Sequence, residues 1–246
     1  MSEGLVTHIE RSDHVDIDLA LAQWEGYRRA LHEAAWVTHE VAPLDECPDS
    51  VFIEDTMVVY GDLAVIARPG APERRPEIAA AEEAVRHLGY RVARIEEPGT
   101  LDGGDVLKHA GRVWVGVGGR TNDDGVRQLR ANLEPLGAEV IAVPVARVLH
   151  LKSGVTALPD GTIIGFEPLV DDVSAWGGRF QEVPEPSGAH VVLLGESEVL
   201  LAASAPRTAD LLAARGLTVV TVDISEFEKL EGCVTCLSVR LRGLPD

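Results

Sequence analysis

Three cysteines occur in the 246-residue chain, and two stand close together near its end, in Leu230-Glu-Gly-Cys233-Val-Thr-Cys236-Leu-Ser-Val-Arg-Leu241. A thiol can attack an electrophilic carbon, exchange with a disulfide, bind zinc or simply pack as a small hydrophobe. The Cys233-Val-Thr-Cys236 spacing is that of a thioredoxin-like redox pair, but such a pair relies on a helix N-terminus to lower the thiol pKa. This stretch alternates instead like a strand, with Thr235, Leu237, Val239 and Leu241 on one face and Val234, Cys236, Ser238 and Arg240 on the other. Zinc needs further ligands at close spacing, and the remaining cysteine, Cys47, has only His39 nearby. What makes Cys236 a candidate nucleophile therefore has to come from elsewhere in the chain.

The elements that must position it repeat themselves. Ile17, Leu21, Trp24 and Leu31 recur at helical spacing within His14–Ala35, which predicts an amphipathic helix with Arg28, Arg29 and Glu33 turned to solvent. Strand Trp36–Val41 follows, then a polar loop over Pro43–Ser50, a short strand Val51–Asp55 and a hairpin, Met57–Tyr60 and Leu63–Ala67, about Gly61-Asp62. Helix Pro76–Leu88, strand Arg91–Ile95 and the pair Asp105–His109 and Arg112–Val117 say the same again. So do helix Asp123–Leu136, strands Glu139–Val143 and Val148–Lys152, and the hairpin Val155–Leu158 with Thr162–Gly165. A weaker helical segment over Leu169–Phe180, strands Ala189–Leu194 and Val199–Ala203, helix Arg207–Arg215 and strand Leu217–Val222 complete the series. Three joins share one form, Leu88-Gly89, Leu136-Gly137 and Arg215-Gly216, each a helix stopping on glycine before a strand. They argue for degenerate ββαβ-like repeats, although an open doubly wound sheet gives a similar string.

Polar residues fall at one position of that repeat, between the strand after the helix and the next hairpin. They are Asp49 with Glu54 and Asp55, then Asp102 in Leu101-Asp-Gly-Gly-Asp105, then His150, then Cys236. Taken singly, the aspartates are turn residues and the histidine is one of eight. Taken together about one axis, they suit attack on a guanidinium, whose delocalised charge makes its carbon a poor electrophile. Carboxylates fix the plane of the cation, a thiolate attacks, and a histidine protonates the departing amine and later takes a proton from water. Loop arginines can hold a substrate carboxylate in bidentate fashion.

The totals agree with an enzyme for a small cation. The 40 acidic and 22 basic residues give a net charge of −18, which disfavours nucleic acid and anionic membrane, though much of it keeps a surface solvated. There is no apolar run long enough to span a bilayer and no signal peptide, and an odd cysteine count offers no disulfide framework, so a cytoplasmic protein is expected.

Six strings in order, CPDSVFIED, ARPGAPERR, GTLDGGDVL, GRTN, VLHLKS and LEGCVTCLSV, resemble the dimethylarginine dimethylaminohydrolase family of the guanidino-group-modifying superfamily, and the likeness spans Leu5 to Leu241. The resemblance implies a single α/β domain over residues 1–246, a five-bladed propeller of ββαβ repeats about a pseudo-fivefold axis. It also implies hydrolysis of a methylated arginine to citrulline and a methylamine, with no cofactor, no metal and a possible homodimer. By the same resemblance Cys236 is the nucleophile, His150 the proton donor and Asp102 the acid that orients it. Glu54 and Asp55 would bind the guanidinium, Asp49 with the carbonyls of Leu5 and Leu230 the α-amine, and Arg68 and Arg120 the carboxylate. Glu3–Thr7 is similar to a mobile lid. Some relatives have glutamate where Asp102 stands, which implies a longer contact to His150 here. Relatives usually begin with a further strand before the lid, whereas this sequence starts at Met1 almost directly on it, so either one blade lacks a strand or the given start is late.

Rivals remain. A deiminase for arginine or agmatine would use the same four groups, although the arginine enzymes carry an added helical insertion and an agmatine enzyme has no need of Arg68 and Arg120. A silent relative that only binds a cationic amino acid, or a structural repeat protein, would not need the full cysteine, histidine and aspartate set.

Overall fold

The computed structural model describes residues 4–10 and 14–242. The chain forms two compact units, one of Met1–His39 with Lys152–Thr235 and the other of Glu40–Leu151 with Cys236–Asp246. Helix α1 (Ile17–Glu33) opens the first of these, with Asp16 as N-cap accepting from the Leu19 amide.

Among the described residues, four three-stranded sheets share one plan. In the Glu40–Leu151 unit, β1 (Met57–Tyr60) pairs antiparallel with β2 (Leu63–Ile66), α2 (Ile78–His87) crosses over, and β3 (Arg91–Arg94) returns parallel to β2. Strands β4 (Val106–His109) and β5 (Arg112–Val117), helix α3 (Asp123–Leu133) and strand β6 (Glu139–Pro144) repeat the pattern. The other unit holds β7 (Val155–Ala157), β8 (Ile163–Gly165) and β9 (Phe180–Glu182), whose crossover is made of 3-10 turns. It also holds β10 (Val191–Leu193), β11 (Glu198–Ala202), α4 (Pro206–Ala214) and β12 (Thr218–Val222), followed by α5 (Ser225–Glu228). The glycines at the three anticipated joins take left-handed φ values of +88° at Gly89 and +87° at Gly137 and Gly216, where a Cβ would be strained.

Strand alternation buries both faces of the β1–β2 pair. Val58, Leu63 and Val65 pack with Leu101, Val113 and Val115 under α3, through Val126, Leu129 and Leu133. Met57, Val59, Ala64 and Ile66 point the other way, against Ala81 and Val85 of α2. In the other unit Ile164, Val191, Val199 and Leu201 pack with Leu212 of α4.

The differences from expectation lie where the chain turns. Trp36–Val41 is irregular, the segment expected as strand Val51–Asp55 ends in a 3-10 turn at Ile53–Thr56, the segment expected as strand Val148–Lys152 gives way to a 3-10 turn at Leu151–Ser153, and Leu169–Phe180 holds only short 3-10 pieces. The Cys236 segment is not a strand either: residues 234–237 form a turn, and Cys233 through Leu237 are all buried. Successive residues of the turn are all buried, so the alternation marks no exposed face. Helix α1 is also rotated from its apolar stripe, since Ile17 and Leu21 are exposed while Ala20, Gln23, Tyr27 and Ala30 are buried. The reason is polar anchoring: Tyr27 Oη donates to the Val234 carbonyl at 2.9 Å and Gln23 Nε2 to Ser225 Oγ at 2.8 Å, beside small alanines that allow close approach. Among the described residues no helix is long and apolar enough to cross a membrane.

Candidate active site

Three of the anticipated polar residues come just before the first strand of a sheet. Asp55 sits in the 3-10 turn ahead of β1, Asp102 caps the 3-10 turn Gly103–Asp105 ahead of β4, and His150 precedes the turn ahead of β7. These turns let the three side chains converge within the Glu40–Leu151 unit, and their glycines permit it. A Cβ at Gly104 would stand 2.6 Å from Asp55 Oδ1 and 2.7 Å from His150 Nδ1, and one at Gly103 only 2.0 Å from the Glu54 carbonyl.

The resulting cluster is buried. His150 Nε2 lies 3.0 Å from Asp102 Oδ2, and His150 Nδ1 lies 3.8 Å from Asp55 Oδ1. Asp102 is held in turn by the Gly70 amide at 2.8 Å on Oδ1 and by Arg120 Nη1 at 3.5 Å on Oδ2. Asp55 accepts from the Gly104 amide at 2.8 Å and from Arg74 Nη1 at 2.6 Å. Cys236 is buried in the same unit, and its carbonyl accepts from the Glu54 amide at 3.1 Å. Glu54 is tied to that segment a second time, through Arg240 Nη2 to Oε1 at 2.5 Å. Cys233, by contrast, belongs to the other unit, with its sulfur 3.2 Å from Thr235 Oγ1.

Electrostatics sort the roles. Burial alone would strip His150 of its proton, but Asp55, the hydrogen bond to Asp102 and the charge of Asp105 outweigh it and raise its pKa to about 9. Burial pushes Asp55 up, yet the His150 and Arg74 charges hold it at about 2. Burial lifts Asp105 to about 6 against the opposing pull of His150. The arrangement is an imidazolium among carboxylates, a group ready to give a proton at neutral pH.

Donor atoms of Asp55, Asp102 and His150 lie within 4.8 Å of one another, a spacing that a metal ion could use. The carboxylate oxygens already receive Arg74, Gly104, Gly70 and Arg120, so the set reads as an ion-pair network rather than an open coordination site.

Four residues of this network were not anticipated. Arg74 is buried and joins Asp55 to Glu77 Oε2, at 2.8 Å through Nη2, while also donating to the Asp49 and Phe52 carbonyls at 3.2 Å. An arginine followed three residues later by glutamate was visible in Arg74-Arg-Pro-Glu77, but nothing in that spacing announced burial. Asp105, Thr121 and Arg240 were hidden inside strings whose neighbours drew the attention. Of the residues expected to hold a carboxylate, Arg68 bonds to the Gly99 carbonyl at 3.1 Å and Glu97 at 3.2 Å, and Arg120 to Asp102. Asp49 is buried in the same unit, whereas Leu5 and Leu230 belong to the other, and Glu3 of the expected lid lies outside the described residues.

No protein-family model matches the chain. The N-terminal domain of ArgZ, a cyanobacterial arginine dihydrolase solved with its substrate, superposes with a TM-score of 0.84 at 21% identity, over 93% of this chain and 89% of that one. That likeness shows the fold, an α/β fold of pentein type. A finer match settles the family. A dimethylarginine dimethylaminohydrolase of Streptomyces coelicolor is 63% identical over 246 residues, all of this chain and 95% of the relative. The Pseudomonas aeruginosa enzyme, solved with citrulline, superposes with a TM-score of 0.89 at 34% identity over 98% of this chain and 94% of its own. The chain belongs to the dimethylarginine dimethylaminohydrolase family.

Proposed function

We infer that the protein hydrolyses N-omega-methylated L-arginine to L-citrulline and a methylamine, without a cofactor. The buried Asp55–His150–Asp102 array, within a chain matched end to end by a dimethylarginine dimethylaminohydrolase, carries this reading.

The sulfur of Cys236, as thiolate, adds to the guanidinium carbon and forms a C–S bond. Asp55, ionised far below neutral pH, fixes the planar cation and balances its charge. The C–N bond to the methylated nitrogen breaks, and the amine leaves with the proton of His150. That leaves a thiouronium. Neutral His150 then accepts a proton from water as the oxygen adds to the same carbon, and collapse of that hydroxyl adduct breaks the C–S bond, returning the thiolate while the hydroxyl proton passes to solvent to leave citrulline. Asp102 orients the ring throughout, and Glu54 holds the Cys236 segment while adding negative charge. Asp49 is assigned to the α-amine, and Arg68 and Arg120 to the α-carboxylate, for which each would exchange its present carboxylate partner. The acidic net charge favours approach of such a cationic amino acid.

The test is to incubate the purified protein with dimethylarginine, monomethylarginine, arginine and agmatine in parallel and quantify the ureido product. Methylated substrates are expected to give citrulline. Turnover of arginine or agmatine with none of the methylated pair would replace the reading with a deiminase, and no product from any would leave a binding protein.

A further inference from the structure

The His150–Asp102 pair needs its two turns held in register, and one carboxylate outside the anticipated set does both. Asp105 Oδ1 accepts from the Leu151 amide at 2.9 Å, the first peptide after His150. Its other oxygen, Oδ2, accepts from Thr121 Oγ1 at 2.6 Å, and that same hydroxyl oxygen accepts from the Asp102 amide at 3.2 Å. Asp105 and Thr121 are 2% and 0% exposed, so these bonds do not compete with water. The strand alongside is cut to fit, because a Cβ on Gly116 in β5 would come within 2.7 Å of Asp105 Oδ1. We propose that Asp105, relayed through Thr121, is a positioning residue for the reaction, clamping the backbone on both sides of the His150–Asp102 pair. The inference rests on the proposed hydrolysis but concerns a residue that the mechanism itself does not use.

The clamp has an electrostatic consequence. The charged and titratable groups around His150 are Asp55 from the turn before β1, Asp102 and Asp105 from the turn before β4, and beyond them Arg74 on Asp55 and Arg120 on Asp102. Asp105 faces His150, Asp102, the Thr121 hydroxyl and the Leu151 amide. Its ionised form therefore adds to the field that keeps the imidazole protonated, and its removal moves the titration of a neighbour it does not touch.

Asp105→Asn keeps the shape: its amide oxygen still accepts from Leu151, and its nitrogen can donate to Thr121 once the hydroxyl turns. It reads the charge alone. In that variant the basic limb of the kcat profile, and the titration of His150 followed by NMR of the labelled ring, are expected to move down by about one pH unit, the ordinary influence of a nearby opposite charge. Thr121→Val breaks the clamp without changing charge and is expected to lower kcat roughly tenfold or more with little change in KM, while Thr121→Ser restores it. An unmoved His150 titration in Asp105→Asn, or wild-type kcat in Thr121→Val, overturns the proposal. Because the ring titration is read without substrate, it remains decisive if dimethylarginine proves not to be turned over.

Discussion

His150 Nε2 meets Asp102 Oδ2 at 3.0 Å, although the resemblance to relatives with a glutamate at this position implied a longer gap. The Gly70 amide on Oδ1 and the bond from the Asp102 amide to Thr121 Oγ1 fix the shorter acid where it reaches the ring. Asp102→Asn keeps the size but gives the ring a neutral partner. Citrulline formation is expected to fall about a hundredfold or more, within the range for a general acid-base group, with KM changed far less. Wild-type kcat in that variant would remove Asp102 from the orienting role.

The two cysteines separate by unit and surroundings. Cys236→Ser is expected to abolish citrulline formation, whereas Cys233→Ser, which alters a sulfur beside Thr235 Oγ1, should keep most of it. Trapping with an alkylating substrate analogue followed by peptide mapping checks the assignment, and a label on Cys233 would move the nucleophile.

Arg74 is the cation on which the acids of the site are balanced. Its guanidinium bonds to Asp55 and Glu77, all three being buried. Arg74→Ala would strand two buried carboxylates and is expected to cost about 3–5 kcal/mol in urea unfolding, the usual penalty for breaking a buried pair on one side. Arg74→Lys, a point charge in place of a fork, should recover part of that. A loss under about 1 kcal/mol for the alanine variant would show that water reaches the pair.

Gly104 tests the geometry by adding one methyl group. A Cβ there meets the Asp55 carboxylate and the His150 ring at under 3 Å, neither of which can retreat through the packed turn. Gly104→Ala is expected to lose most activity with a modest change in stability, since the displaced groups are the functional ones. Gly26→Ala, which meets nothing within 4 Å, serves as the control and should be as active as the parent. Full activity in Gly104→Ala would mean that the site is looser than its glycines suggest.

The hairpin strands and the glycine joins were legible because alternation and a left-handed glycine are local signals, as Gly89, Gly137 and Gly216 show. Cys236, His150 and Asp102 stood out because each reactive type followed such a join in its repeat, and Asp55 because it takes the corresponding place ahead of a hairpin. What could not be read was contact across the fold. Ile17 and Leu21 make a good apolar stripe on α1, yet the buried face is the one carrying Tyr27 and Gln23, because hydrogen bonds to residues some two hundred positions away decide the rotation. Asp105 and Arg74 were missed for the same reason, since a buried charge is recognised only by its partners.

Those buried charges set the dependence of stability on pH. His150 rises from 6.5 to about 9 on folding, so its contribution is fully present below pH 6.5 and is lost as pH climbs through 9. The loss is at most on the order of 3 kcal/mol, shared with Asp55, Asp102 and Asp105. On the acid side two groups oppose each other. Asp105, raised from 3.8 to about 6, gives stability that grows as pH falls from 6 towards 3.8, whereas Asp55, lowered to about 2, loses its contribution below 3.8. Urea unfolding is therefore expected to weaken between pH 6.5 and 9 in the wild type and to do so much less in His150→Asn, which carries no proton to release. Equal slopes in the two proteins over that interval would show that the imidazole is not held protonated, and proton donation to the leaving amine would then need another source.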